Sequence, residues 1–155
     1  MKMQIILKKV STALLLASIA LPGTVLSASG NYSSDFDFKP IMQMLEHEQF
    51  LDAIDELHFE LDNDPDNADI LSLLGYSYRK TQNYEDAMTF YEWALHAKPN
   101  HLGANTYLGE LYLETHRLDK AEQQLEVLSD ICSSNCKEFE TLQKAIDTYK
   151  QQASN

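Results

Sequence analysis

Apolar residues along this chain recur every three or four positions, which is the spacing of helices with one buried face. The pattern also repeats with a period of about 34 residues, through three successive units. In the two clearest units the matching positions are Leu74, Gly75, Tyr78, Ala87 and Tyr91, followed by Leu108, Gly109, Tyr112, Ala121 and Leu125. A period of this length predicts a stack of antiparallel helix pairs, each burying its apolar face against the next pair.

The unit at 68–101 resembles the tetratricopeptide repeat family at most of its key positions. The matching residues are Leu74, Gly75, Tyr78, Ala87, Tyr91, Ala94 and Pro99, while Leu71 replaces the usual tryptophan. The resemblance implies an all-α fold, a right-handed α-solenoid of three helix pairs at about 34–67, 68–101 and 102–135. An amphipathic stretch at about 136–151 is expected to form a C-terminal capping helix, so that the repeat domain covers 36–152.

The ends of this array depart from a regular repeat. Pro40 and Ile41 stand where the first unit would have Leu-Gly, so its first helix is the least regular element. Asn135 and Glu138 lie three residues apart and predict an N-cap with a capping box at the start of the final helix.

The N-terminal segment 1–28 has the features of a secretory signal peptide. Lys2, Lys8 and Lys9 precede an apolar run, Thr12–Leu21, and small residues then lead to a predicted cleavage point after Ala28. The run is shorter than the ~20 residues of a membrane-spanning helix, so a permanent membrane anchor is not expected after cleavage. Residues 29–35 would be a flexible N-terminus. We expect a periplasmic protein, or alternatively a secreted one, similar to small exported repeat proteins of proteobacteria.

Removal of that segment makes the chain more acidic. All 24 acidic residues follow Ala28, and loss of three lysines takes the formal net charge from −12 to −15. Such a surface repels phosphate backbones, so nucleic acid is not an expected partner. It favours a basic peptide or protein, although the same charge also serves solubility.

Cys132 and Cys136 are the only cysteines. In an oxidising compartment so close a pair is expected to form a disulfide that fixes the entry of the capping helix. A redox-active pair is the alternative, but the spacing is C-x-x-x-C, and the acidic neighbours Asp130 and Glu138 would raise a thiol pKa. A zinc site is not expected, because no local histidine completes the ligand set.

One loop has the alternating acids of a calcium site, namely Asp62, Asp64 and Asp66. Leu73 occupies the position that would need a bidentate glutamate, so no metal is predicted there. A simpler role for Asp66 or Asn67 is to cap the following helix, as Asn100 or His101 would do one repeat later.

Catalysis has no support in the sequence. The histidines, which are His47, His58, His96, His101 and His116, belong to no recognised catalytic motif, and no phosphate-binding glycine loop is present. We therefore expect no enzymatic activity and no cofactor. The expected function is that of an adaptor or scaffold in the bacterial envelope. An accessory thiol protein acting through the cysteine pair and a self-assembling structural module are the alternatives, and the oligomeric state is left open.

The family resemblance implies that the first helix of each pair lines a concave groove that binds a peptide or partner protein. The residues at such positions are Asp69, Ser72, Tyr76, Arg79, Lys80, Thr106, Glu110, Leu113 and Glu114. Tyr76 would anchor the ligand or pack on the neighbouring helix. Arg79 and Lys80 would bind a carboxylate of the partner or complement the helix dipole.

Overall fold

The computed structural model describes residues 36–132 and 134–154, and these contain seven helices and no strand. The helices are α1 (Lys39–Glu46), α2 (Phe50–Leu61), α3 (Ala68–Lys80), α4 (Tyr84–Ala97), α5 (Leu102–Glu114), α6 (Leu118–Cys132) and α7 (Lys137–Ala153). The predicted all-α fold of three helix pairs and a final helix is confirmed. The signal peptide predicted at 1–28 and the flexible stretch at 29–35 lie outside the described residues.

The helices fall into an inner and an outer set. Each helix packs against the next along the chain, and α3 also contacts α5 while α5 contacts α7. We call α1, α3, α5 and α7 the inner helices, and α2, α4 and α6 the outer helices. None of the described helices has both the length and the apolar character needed to cross a membrane.

Glycine allows close contact between helices at two equivalent positions. A Cβ atom at Gly75 would lie 2.6 Å from the ring of Tyr91, the largest fully buried side chain. One at Gly109 would lie 2.5 Å from a methyl group of Leu142 on α7. The final helix thus packs against α5 through the same small residue that joins α3 to α4 in the preceding repeat.

The turn inside each helix pair contains one residue with a left-handed backbone. Glu48, Gln82 and His116 have φ angles of 57°, 63° and 59°, and they are spaced by the repeat length. In the middle repeat the N–H of Asn83 donates to the carbonyl of Tyr78 at 2.9 Å, which satisfies one of the terminal carbonyls of α3. A left-handed residue after the helix end is the usual way to terminate a helix, although glycine is the residue that adopts it without strain.

The starts of the later inner helices are capped by side chains. Asn67 caps α3, since its Oδ1 accepts from two backbone N–H groups at 3.1 Å, and His101 caps α5 through Nδ1. The prediction of Asn135 as the N-cap of α7 is wrong. Cys136 takes this position, because its Sγ accepts from the N–H of Phe139 while Asn135 Oδ1 accepts from the preceding serine hydroxyl.

Candidate functional site

The inner helices α3, α5 and α7 enclose a groove of about 670 Å³, called here the inner groove. Five of the sequence-predicted site residues line it, namely Arg79, Lys80, Glu110, Leu113 and Glu114. The other lining residues come from α7 and the turn before α6, and they are His116, Thr141, Lys144, Ala145, Thr148, Tyr149 and Gln152. The groove therefore spans two repeats and the final helix.

Arg79 is buried in the wall of this groove, with 7% of its side chain exposed. Its Nη2 lies 2.6 Å from Glu110 Oε2, and its Nη1 lies 2.8 Å from Glu114 Oε1. The guanidinium carbon is also 5.6 Å and 5.9 Å from the ring centres of Tyr76 and Tyr107. Both terminal nitrogens of Arg79 are thus paired with carboxylates of the chain itself. This does not favour the hypothesis that Arg79 binds a carboxylate of a partner.

The surroundings of Arg79 keep it charged. Burial alone would lower its pKa, but the nearby Tyr91, Glu110 and Glu114 raise it above the ordinary value of a guanidinium. Burial also raises the pKa of Tyr91 far above that of a free phenol, despite the opposing effect of Arg79. Within the described residues, neither the Tyr91 hydroxyl nor Arg79 Nε has a partner with hydrogen-bonding geometry.

Two cations at the inner groove remain available. Lys80 and Lys144 are exposed and, among the described residues, neither forms an ion pair. Lys80 Nζ lies 5.8 Å from the ring centre of Phe50, which holds this side chain beside α2. Arg79 carries one positive charge against the two negative charges of Glu110 and Glu114, and these lysines supply the further positive charge at the groove.

Tyr76 packs between neighbouring helices. Its ring centre is 6.2 Å from that of Phe50 on α2 and 5.1 Å from that of Tyr107 on α5. Of the two roles expected for Tyr76, packing is the one visible in its contacts. Thr106 is buried as well, and its hydroxyl donates to the carbonyl of Leu102 at 2.9 Å. Neither residue lines the inner groove.

The remaining two predicted residues, Asp69 and Ser72, line a smaller cavity of about 360 Å³ beside α1. Ser72 is buried there. His101 Nδ1 accepts the N–H of Ala104, so in the neutral ring Nε2 carries the proton and donates to Asp69 Oδ1 at 2.9 Å. Asp69 is thus tied to the cap of the next inner helix.

Sequence profiles of the tetratricopeptide repeat family match this chain twice, at residues 45–101 and at residues 82–146. The chain is a tetratricopeptide repeat protein. No curated protein matched it in a search by sequence.

Solved structures of tetratricopeptide-like proteins share this fold. The type III secretion translocator chaperone SycD of Yersinia enterocolitica matches with a TM-score of 0.65 and 14% identity, over 76% of this chain and 83% of SycD. SycD in complex with a peptide of the translocator YopD matches with a TM-score of 0.63 and 15% identity, over 75% and 91%. A structure of MamA (MSR-1 C2) matches with a TM-score of 0.57 and 19% identity, over 79% and 71%.

The repeat period itself could have located the α7 side of the groove. A shift by one repeat length from Glu110 and Glu114 gives Lys144 and Thr148, and both line the inner groove. Neither residue was among the predicted groove positions, because those positions lie only on the repeats and the final helix was expected to act as a cap.

The two cysteines of this tetratricopeptide protein lie where α6 passes into α7. Their sulfur atoms are at disulfide-bonding distance, and their Cα atoms are 5.9 Å apart. Within the described residues, no group of three or more His, Cys, Asp or Glu side chains is placed to hold a metal ion.

Proposed function

We propose that this protein is a non-enzymatic adaptor whose inner groove binds a peptide segment of a partner protein. The observation that carries the proposal is the groove itself, which crosses α3, α5 and α7 and offers both charged and apolar surface. A protein-interaction role is also supported by the fold shared with SycD, which has been solved with a peptide of its partner. The signal-like N-terminus supports a location in the bacterial envelope, with the periplasm as the proposed compartment.

The groove favours a peptide that combines an acidic group with an apolar side chain. Lys80 and Lys144 can pair with a side-chain or C-terminal carboxylate of the peptide, because the glutamates of the wall, Glu110 and Glu114, are already paired with Arg79. Ala145 and the ring of Tyr149, both half-buried, offer apolar contact beside Lys144. A 3.2 Å hydrogen bond between the Tyr149 hydroxyl and His116 Nδ1 connects this wall to the turn before α6.

In this proposal the cysteine pair has a structural role. Cys132 ends α6 and Cys136 caps α7, so a disulfide between them would hold the α7 wall against the repeats. We propose that the pair is oxidised in the envelope and that its role is to position α7.

The proposal can be tested by affinity capture with residues 29–155 as bait in periplasmic extract. The groove variant is Lys80→Glu/Lys144→Glu, and its matched control is Lys39→Glu/Lys98→Glu, which makes the same charge change at exposed lysines away from the groove. We expect a partner that the native chain and the control both retain and that the groove variant loses. Equal capture by all three chains would refute the groove as the binding site.

The binding segment can then be located with synthetic peptides that tile the captured partner. Our expectation is that one peptide binds the native chain, and that replacing its carboxylate with an amide weakens binding at least tenfold. If the replacement leaves the affinity of the peptide unchanged, Lys80 and Lys144 do not bind a carboxylate of the peptide.

A further inference from the structure

Three exposed apolar residues occupy the same position in the three outer helices. Phe59 on α2, Trp93 on α4 and Val127 on α6 are separated by the repeat length, and 64%, 52% and 37% of their surfaces are exposed. We call these residues the outer stripe. Single exposed apolar residues are common on proteins, but repetition of one at the same site in successive repeats presents a row of them along one face.

The central part of the outer stripe rests on a fixed aromatic layer. The ring of Trp93 meets that of Phe90 edge-on, with centres 5.2 Å apart, and Phe90 stacks on Tyr78 at 5.3 Å. His58 precedes Phe59 on α2. Its ring centre is 5.5 Å from that of Phe90, and its Nε2 lies 2.9 Å from the hydroxyl oxygen of Tyr78. This layer connects α2 to α4 and supports the exposed ring of Trp93. A ligand that binds at Trp93 therefore loses little side-chain conformational entropy on binding.

Acidic residues predominate along the outer helices that carry the stripe. Helices α2 and α4 contain acidic residues but no Lys or Arg, and in α6 the only basic residue is Lys120. The inner helices α3 and α7, in contrast, contain both signs of charge. The exposed acids adjacent in sequence to a stripe residue, or within one helical turn of it, are Asp55, Glu56, Glu92, Glu126 and Asp130 within the helices, and Asp62 just after the end of α2.

We infer that the outer stripe is a second docking surface, separate from the inner groove, and that its occupant is a cationic amphipathic segment of a partner protein. The apolar side of such a segment covers Phe59, Trp93 and Val127, and its Lys and Arg side chains pair with the flanking carboxylates. A second copy of this chain fits poorly, because it would bring one acidic face against another. The net charge predicts basic partners, and in this inference the outer helices are the surface that binds them.

The probe for this inference is a synthetic peptide of Leu and Lys at amphipathic helical spacing. About 18 residues suffice, since a helix of this length extends about 27 Å and crosses three packed helices. A second peptide with Glu in place of every Lys is the charge control. Binding is measured by fluorescence anisotropy of the labelled peptide at two salt concentrations.

Two sets of variants separate the apolar from the electrostatic contribution. Phe59→Gln/Trp93→Gln/Val127→Gln removes the stripe at constant charge, and its control is Leu51→Gln/Met42→Gln, which removes exposed apolar residues elsewhere. The charge variant is Asp55→Asn/Glu92→Gln/Glu126→Gln. Its control neutralises three exposed acids away from the stripe, by Glu46→Gln, Asp66→Asn and Asp147→Asn.

We expect the stripe and charge variants to lose at least tenfold in affinity for the Lys peptide, the two controls to stay within twofold, and the Glu peptide not to bind. Circular dichroism of every variant establishes that these losses are not unfolding. Equal binding by the stripe variant and its control would overturn the inference, since charge alone would then explain the complex. A concentration-dependent dimer of the native chain that the stripe variant abolishes would also overturn it, because a second copy would then be the occupant.

Discussion

At the scale of single residues, the contact between Gly75 and Tyr91 sets how closely α3 and α4 approach. Gly109, at the equivalent position, contacts Leu142 of α7 instead of an outer helix, and the two neighbours differ in stiffness. The ring of Tyr91 is rigid and fully buried, whereas a Cβ at Gly109 would meet the methyl ends of a flexible leucine side chain.

We therefore predict that Gly75→Ala destabilises the fold by about 1–3 kcal/mol, because overpacking exceeds the gain of about 1 kcal/mol in helix propensity. Gly109→Ala should cost less, since Leu142 can change its rotamer. Urea unfolding of both variants measures the difference, and a Gly75→Ala protein as stable as the native one would show that Tyr91 can move.

The burial of Tyr91 predicts a loss of stability at alkaline pH. Its folded-state pKa is raised above the ordinary value of about 10, so the unfolded chain ionises this tyrosine first. The stabilisation is complete below about pH 10 and is lost as the pH rises above it, at about 1.4 kcal/mol per pH unit for one group.

Tyr91→Phe should make this alkaline decline shallower and leave stability at pH 7 unchanged or slightly higher, because its hydroxyl lacks a regular hydrogen bond. Tyr112→Phe is the comparison, since burial raises the pKa of Tyr112 too but this residue is only half-buried. Denaturation between pH 8 and 11 gives both slopes, and equal slopes for native and Tyr91→Phe proteins would contradict the prediction.

Among the helices and turns, the left-handed residue inside each pair is a general feature of this chain. A non-glycine residue pays a conformational cost of about 1 kcal/mol in this region. Glutamate, glutamine and histidine occupy the three equivalent sites, so no single side chain is required there.

We predict that Gln82→Gly stabilises the protein by about 0.5–1 kcal/mol, since it relieves the left-handed strain at the end of α3. Gln123→Gly is the matched control, because the same substitution at an exposed site inside α6 should destabilise by about 1 kcal/mol. Thermal unfolding distinguishes the two, and a loss of stability in both would show that Gln82 makes a necessary contact.

The start of α7 shows where local sequence reasoning failed. Asn135 and Glu138 have the spacing of a capping box, and Asn is a stronger N-cap residue than Cys. The helix nevertheless begins after Cys136, whose backbone is extended and whose sulfur lies at bonding distance from Cys132. The helix start is therefore shifted by one position from the predicted one. The proximity of Cys132 constrains Cys136, and N-cap propensities do not take such a contact into account.

For the molecule as a whole, the repeat period predicted the fold but only part of the site. The shift by one repeat length identified the three helix pairs because buried packing residues recur in all of them, as at Ala53, Ala87 and Ala121. Burial of polar residues depends on contacts between repeats, which the period does not encode. Arg79 and Thr106 therefore seemed available for binding, although the structure buries both side chains and pairs Arg79 with Glu110 and Glu114.

The unequal distribution of charge between outer and inner helices also has a kinetic consequence. A cationic molecule approaching from solution experiences the electrostatic field of α2, α4 and α6 before any contact forms. This field directs its approach toward the face formed by the outer helices. Salt slows its arrival by screening this field, whereas its residence time depends on short-range apolar contact. The acids thus govern how often encounters occur, and Phe59, Trp93 and Val127 govern how long each one lasts.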